Sequence, residues 1–234
     1  MTFLKVRREL RQMANPERAR ISQRFFKTGP GEYGEGDQFI GLTVPQIRRL
    51  AHQYRQLSPT ATQRLLQSPL HEERLLALVI LVDAFAAADS LGQAQIYKIY
   101  RQSTRFINNW DLVDTSAPQI VGAFLWKRSR APLRQLARSQ NLWERRIAII
   151  ATFYLIRQDE FEPTLRIARQ LLSDQEDLIH KAVGWMLREV GKRDPAAEEK
   201  FLREHYRQMP RTMLRYAIER FPERHRQRYL RGLI

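Results

Sequence analysis

A tryptophan and a carboxylate lie four residues apart in the segment 107–114, whose sequence is Ile-Asn-Asn-Trp-Asp-Leu-Val-Asp. If the segment begins a helix, Asn109 is a suitable N-cap residue and Trp110 lies in the first turn. Trp110 and Asp114 then stand on one face as i,i+4 neighbours. An indole beside a carboxylate binds cations by charge and by a cation–π contact worth about 0.5–2 kcal/mol per ring. The same carboxylate can stabilise an oxocarbenium-like transition state or orient a water molecule.

Plainer interpretations of these residues stay open. Trp110 can be a core tryptophan and Asp114 an exposed helical aspartate. Asp111 competes with Asp114 for the chemical role, but it would be the second residue of the helix. An acid at that position interacts favourably with the helix dipole, so we expect Asp111 to be structural.

The charge of the chain suggests the partner of such a site. The 234 residues carry a formal net charge of +15, and the 40 basic residues comprise 33 Arg and 7 Lys. Arg presents a planar, forked set of donors that suits phosphate oxygens. A high-GC genome or a thermophile-like surface would explain the preference for Arg but not the excess of positive charge. We therefore expect nucleic acid as the partner. A membrane surface is second, because no basic amphipathic anchor or lipidation signal is visible.

Composition excludes several kinds of site. The chain has no Cys, which removes disulfides, thiolate catalysis and cysteine-based metal centres. Its 5 His are scattered without the spacing of a metal-binding pair, so we expect neither a metal nor a cofactor. No signal peptide and no apolar run approaching 18 residues is visible, so we expect a cytoplasmic, nucleoid-associated protein.

Apolar residues recur at helical spacing along almost the whole chain, with most Gly and Pro between the apolar segments. Strongly apolar helices are predicted to begin near His71, Trp110, Trp143, Leu178 and Arg211. Each follows a more amphipathic helix, predicted at 60–67, 93–101, 131–138, 161–172 and 196–208. Paired helices at this period indicate an all-α fold, an α-solenoid of HEAT-like repeats forming a single domain over residues 1–234.

Four segments call for specific predictions. Pro118 lies inside a predicted helix and should kink it or end it early. The run 147–156 is apolar enough for a buried strand, but its length and Ala content favour a buried helix. Residues 28–41 are rich in Gly and acidic side chains, and we expect a flexible surface loop rather than a phosphate-binding turn. The basic C-terminal tail, 222–234, is expected to be a solvated helix.

A solenoid aligns its second helices, so their first turns form a row along a concave surface. The members of this predicted row are Glu72 and Arg74, Trp110 and Asp114, Arg145 and Arg146, Lys181 and Trp185, and Arg211 and Arg215. Together they would line a basic groove with aromatic platforms. For Arg74 and Arg145 an ion pair between repeats is an equally good interpretation.

Three motifs resemble those of one known family. They are Asn108-Asn109-Trp110-Asp111-Leu112-Val113-Asp114, Arg145-Arg146-Ile147-Ala148-Ile149 and Lys181-Ala182-Val183-Gly184-Trp185-Met186-Leu187-Arg188-Glu189. In this order they are similar to the HEAT-like-repeat alkylpurine DNA glycosylases, the AlkD-type DNA alkylation repair enzymes. The segment 41–48 also resembles the start of an early DNA-contacting helix of that family, and the resemblance extends from about Asn15 to Phe221.

The resemblance implies a function and a set of residue roles. The family removes cationic N3- and N7-alkylated purines, such as 3-methyladenine and 7-methylguanine, from duplex DNA without flipping the base. By position, Asp114 matches the catalytic carboxylate, and Trp110 and Trp185 match the two tryptophans that flank the deoxyribose of the lesion. Further DNA contacts are expected at Arg146, Arg145, Arg48, Thr43, Lys181, Arg188 and Arg215.

The glycine-rich segment 28–41 departs from the family pattern, where an N-terminal helix contacts the minor groove and Phe25-Phe26 would stand in for an aromatic residue. We expect a monofunctional glycosylase that acts as a monomer without a protein partner. Two alternatives stay open: a non-catalytic DNA-binding paralogue or damage sensor, and a HEAT-type scaffold that binds acidic proteins.

Overall fold

The computed structural model describes residues 2–234, and it is built of helices. Within this range the only β pairing outside the helices is an isolated parallel bridge between Gln38 and Leu70. The all-α prediction is therefore confirmed. The chain divides into two compact units, Met1–Ile120 and Val121–Ile234. The solenoid arrangement and the single domain stay predictions.

The helices of the first unit are α1 (Phe3–Gln12), α2 (Pro16–Phe25), α3 (Val44–Gln53), α4 (Pro59–Leu66), α5 (His71–Ala87), α6 (Ser90–Gln102) and α7 (Trp110–Ala117). Their starts carry ordinary capping chemistry, as where Asn15 and Ser58 cap helices with Pro in the first turn. After its charged first turn, helix α5 is mostly apolar, and α3, α4, α6 and α7 pack against it. It forms the core against which α7 packs.

The helices of the second unit are α8 (Ala123–Leu125), α9 (Ala131–Leu136), α10 (Leu142–Ile156), α11 (Glu162–Gln170), α12 (Asp177–Gly191), α13 (Pro195–His205), α14 (Arg211–Ala217) and α15 (Glu223–Leu230). Helix α10 is the buried centre, with α8, α9, α11 and α12 packed against it. The buried helix predicted over 147–156 is thus confirmed. The basic tail contains α15, which is mostly exposed apart from the buried Tyr229.

Pro118 interrupts its helix as predicted. Helix α7 ends at Ala117, and the chain continues as a π-helical turn over Pro118–Gly122 before α8 begins. Proline lacks an N–H, and its ring crowds the carbonyl four residues earlier, so a regular α-helix cannot continue through it. The chemical pair on α7 therefore lies on a helix of only 8 residues.

The prediction for residues 28–41 was wrong in one respect. The segment is a loop, but from residue 34 onwards it is only partly at the surface, because Gly34, Asp37, Phe39 and Gly41 are buried. The carboxylate of Glu72, on the first turn of α5, accepts hydrogen bonds from the backbone N–H groups of residues 40, 41 and 42. Local sequence patterns do not reveal this partner, because Glu72 lies 30 to 32 residues later in the chain.

No helix within residues 2–234 is both long enough and apolar enough to cross a membrane.

Candidate functional site

The start of α7 is fixed by Asn109, whose side chain is fully buried. Its Oδ1 accepts a hydrogen bond from the backbone N–H of Trp110 at 2.9 Å, which confirms the predicted N-cap. Its Nδ2 donates to Oδ2 of Asp37 at 3.3 Å. One side chain therefore caps the helix and ties it to the glycine-rich segment.

Trp110 and Asp114 are both partly exposed, one helical turn apart. The indole of Trp110 stacks on Phe26 with the ring centroids 5.3 Å apart, and the exposed Phe25 contacts it edge-on at 5.9 Å. Burial raises the pKa of Tyr100, and the negative charge of Asp114 nearby adds to that increase against a hydrogen bond with Ser116. Asp114 thus lies one helical turn from the partly exposed Trp110 and close enough to the buried phenol of Tyr100 to influence it.

A buried imidazole joins the loop, α5 and α7. His71 Nδ1 lies 2.7 Å from Oδ2 of Asp37, and its Nε2 lies 2.8 Å from Oδ2 of Asp111. Arg74 donates to the other oxygen of Asp37 at 2.7 Å. Asp111 also accepts from the backbone N–H of Leu112 at 2.9 Å. These contacts agree with the structural role expected for Asp111.

The ion pair between His71 and Asp37 shifts the pKa values of both of these groups. Burial alone would lower the pKa of His71, but the carboxylates of Asp111 and Asp37 outweigh burial and raise it to about 9. Burial would raise the pKa of Asp37, yet its hydrogen bond and charge pairing with His71, together with Arg74, lower it. His71 is therefore an imidazolium at neutral pH.

Stacked rings connect this imidazolium to Trp110. His71 stacks on Phe39 at 4.4 Å, Phe39 on Phe26 at 5.0 Å, and Phe26 on Trp110. Phe39 and His71 could not be assigned to this site from the sequence, because nothing in their local spacing links them to a helix that begins at Trp110.

Arg145 and Arg146, on the first turn of α10, have structural partners. The guanidinium of Arg145 binds Asp174 at 2.6 Å and the carbonyls of Ser139 and Gln140. The ion pair left open by the sequence is thus present. Arg146 is only 5% exposed and donates from Nη1 to the carbonyl of Leu178 at 2.6 Å, which joins α10 to the start of α12.

Helix α12 carries an aromatic and basic surface that is interleaved with acids. Trp185 is partly exposed, contacts Phe153 at 5.9 Å and donates from Nε1 to Glu189 at 3.0 Å. Lys181 pairs with Asp177 at 2.7 Å. Arg188 pairs with Glu219, and its Nε lies 3.8 Å from Glu189. The basic residues of this surface are therefore partly neutralised by acidic neighbours.

The other predicted contacts lie at the starts of α3, α5 and α14. Thr43 caps α3 together with Gln46, and Arg48 is exposed on the same helix. Arg215 is exposed on α14. Glu72 and Arg74 of the predicted row are buried and hold the glycine-rich segment in place. No cluster of three His, Asp or Glu residues suited to a metal ion occurs in the described part of the chain.

Comparison with known proteins places this geometry in a family. A family model described as DNA alkylation repair enzyme matches residues 6–221. The fold is similar to a structure described as a predicted DNA alkylation repair enzyme from Enterococcus faecalis, with a TM-score of 0.68, 17% identity, and coverage of 90% of this chain and 97% of that one. It is also similar to smu.31 from Streptococcus mutans UA159, with a TM-score of 0.54, 17% identity, and coverage of 94% and 99%. Among curated proteins, none matches the sequence significantly.

Proposed function

Because the chain belongs to the family of DNA alkylation repair enzymes, we propose that it is a DNA glycosylase that hydrolyses the N-glycosidic bond of cationic N3- and N7-alkylated purines in duplex DNA. The observation that carries the proposal is the partly exposed pair Trp110 and Asp114 at the start of α7. A ring face beside a carboxylate suits a sugar that becomes cationic as its base departs.

In the proposed reaction the bond between C1′ and the purine nitrogen breaks, and its electron pair goes to the base. The alkylated purine carries a positive charge beforehand and leaves neutral, so no general acid is needed. Asp114 stabilises the oxocarbenium-like sugar and orients a water molecule. The water adds to C1′ and loses a proton, which gives the free base and an abasic site. Trp110 offers its ring face to the deoxyribose.

The DNA contacts are assigned from motif resemblance and charge. Trp185 is the proposed second tryptophan at the deoxyribose, and Arg146 the proposed phosphate contact. Further contacts to the DNA backbone are proposed at Arg145, Arg48, Thr43, Lys181, Arg188 and Arg215. To bind DNA, Arg145 would have to break its ion pair with Asp174 and pair with a phosphate instead. The proposed enzyme acts as a monomer, without a cofactor and without flipping the base, in the cytoplasm at the nucleoid.

The test is release of 7-methylguanine and 3-methyladenine from methylated duplex DNA. Asp114→Asn keeps the shape of the side chain but removes its charge, so we expect a loss on the order of 100-fold or more in the rate of base release. Binding to undamaged duplex should stay within a few-fold of the wild type. Asp83→Asn, an exposed aspartate on α5, is the matched control and should release base at the wild-type rate.

Equal rates for the wild type and Asp114→Asn would contradict the mechanism. Tight binding to DNA with no base release by the wild type would instead support a non-catalytic DNA-binding protein.

A further inference from the structure

We propose that His71 is a positioning residue for this site: its positive charge neutralises Asp111 beside Trp110, and its ring seats the aromatic stack that carries the indole. The effect of His71 on base release rests on the proposed function. Its effects on the position of Trp110 and on the affinity for undamaged DNA can be measured without it.

The charge of His71 follows from its hydrogen bonds. A neutral imidazole has one N–H and can donate to one acceptor, whereas an imidazolium donates from both nitrogens. Here both nitrogens lie within 2.8 Å of carboxylate oxygens, those of Asp37 and Asp111. The ring is only 2% exposed, so water does not compete for these contacts. With both carboxyl groups ionised, this geometry favours the doubly protonated ring.

Four charged side chains alternate in sign from the core towards the surface. Arg74 binds Asp37, Asp37 binds His71, and His71 binds Asp111, so two cations meet two anions. The inner three side chains are nearly inaccessible, while that of Asp111 is 17% exposed next to Trp110. Without the imidazolium, Asp111 would present a carboxylate without its partner where DNA phosphates are expected. Like charges there weaken DNA binding.

The ring of His71 also supports Trp110 mechanically. Its centroid is 4.4 Å from that of Phe39 and 5.1 Å from that of Phe26, and Phe26 is the ring on which Trp110 stacks. Removal of the imidazole opens space beneath Phe26, so the indole loses its fixed support. One residue therefore controls both the charge next to Trp110 and the position of its ring.

The decisive experiment is a double-substitution cycle read out by binding to a fluorescently labelled undamaged duplex at low salt. His71→Asn leaves Asp111 without its counter-charge, and we expect the Kd to rise several-fold. Asp111→Asn alone should bind as tightly as the wild type or more tightly. The double variant His71→Asn/Asp111→Asn should recover most of the lost affinity. His52→Asn, at an exposed histidine on α3, is the matched control and should leave the Kd unchanged.

A purely structural role for His71 gives a different pattern, because the double variant would then bind no better than His71→Asn. That outcome would overturn the charge-neutralising role. Thermal unfolding of each variant establishes that it is folded at the assay temperature. Because the readout uses undamaged DNA, failure of the glycosylase proposal would show separately, as absent base release alongside an intact recovery of affinity.

A second measurement needs no substitution of His71. In protein labelled with 5-fluorotryptophan, the ¹⁹F signal of Trp110, identified by its loss in Trp110→Phe, should shift with pH with a midpoint near 9. The charged groups facing His71 are Asp37 from the loop and Asp111 from α7, with Arg74 behind Asp37. A signal that stays constant from pH 7 to 10.5 would overturn the coupling between His71 and Trp110.

Discussion

Asp111 and Asp114 lie three residues apart on α7 and have different surroundings. Asp111 is held by His71 and by the backbone of Leu112, whereas Asp114 lies one turn beyond Trp110, on the same face as the indole. The sequence ranked the two acids by their position in the helix, and the structure adds the reason at atomic scale. A carboxylate whose charge is held by a buried imidazolium is poorly suited to stabilise a cationic sugar. We therefore place the chemistry at Asp114.

At the residue scale, the ring of Trp110 should matter more than its indole N–H. Trp110→Phe keeps an aromatic face that can stack on Phe26, whereas Trp110→Ala removes it. We expect Trp110→Ala to slow base release by roughly tenfold or more, since a cation–π contact contributes about 0.5–2 kcal/mol. Trp110→Phe should reduce the rate of base release much less. Single-turnover release from methylated duplex measures both variants, and equal losses would show that the ring face is not the contributing group.

At the element scale, the contact between α12 and α13 contains a buried acid that the proposed mechanism does not use. Glu198, on α13, is 3% exposed, and its Oε1 has no hydrogen-bond partner. Its carboxylate lies against Gly191 on α12, where a Cβ would overlap it. Burial raises the pKa of Glu198 to about 8, opposed by Arg188 and reinforced by Glu199. The packing of α12, the helix that carries Trp185, is thus linked to the protonation of Glu198.

The sign of this linkage predicts how stability changes with pH. Between pH 4.5 and 8 the folded state keeps a proton on Glu198 that the unfolded chain has released, so the free energy of unfolding falls as pH rises through this range. Glu198→Gln removes the ionisation. We expect it to raise the free energy of unfolding at pH 8 by more than about 1 kcal/mol and to change it little at pH 4.5.

Urea unfolding at the two pH values measures the effect. Glu204→Gln, at an exposed glutamate on the same helix, is the control and should have no such pH-dependent effect. A Glu198→Gln variant with the same stability change at both pH values would contradict the assignment.

At the scale of the whole molecule, the net charge of +15 favours association with a polyanion. The basic residues are spread along the chain, and many of them are paired with acids, as Lys181 is with Asp177. Net charge alone therefore overstates the number of phosphates that the protein neutralises. The number of neutralised phosphates can be measured from the dependence of DNA affinity on salt concentration.

If the six basic residues proposed as DNA contacts each neutralise a phosphate, a plot of log Kobs against log salt concentration should have a slope of roughly −5. These residues are Arg48, Arg145, Arg146, Lys181, Arg188 and Arg215. Arg215→Gln should reduce the magnitude of that slope by about 1 and weaken binding to all sequences alike. Fluorescence anisotropy at several salt concentrations measures both quantities. A slope near zero would exclude a phosphate-binding surface and favour an acidic protein as the partner.

Much of the fold and part of the site could be predicted because they depend on neighbours in the chain. Helical periodicity placed the starts of α5, α7, α10, α12 and α14 within about a residue of their observed positions. The cap at Asn109 and the break at Pro118 follow from interactions spanning one helical turn. The placement of Trp110 and Asp114 one turn apart could be predicted for the same reason, since i,i+4 neighbours are set by the geometry of a single helix.

The sequence by itself therefore determined an all-α protein with a tryptophan–carboxylate pair at a capped helix start. Only the tertiary structure decided which charges meet. Asp37, His71 and Asp111 are separated by 34 and 40 residues, and Arg145 and Asp174 by 29. Opposite charges in a chain rich in both signs have many alternative partners, and the buried packing of the helices selects one. As a result, the segment 28–41, expected to be a surface loop, supplies Asp37 and Phe39 to the contacts that support Trp110.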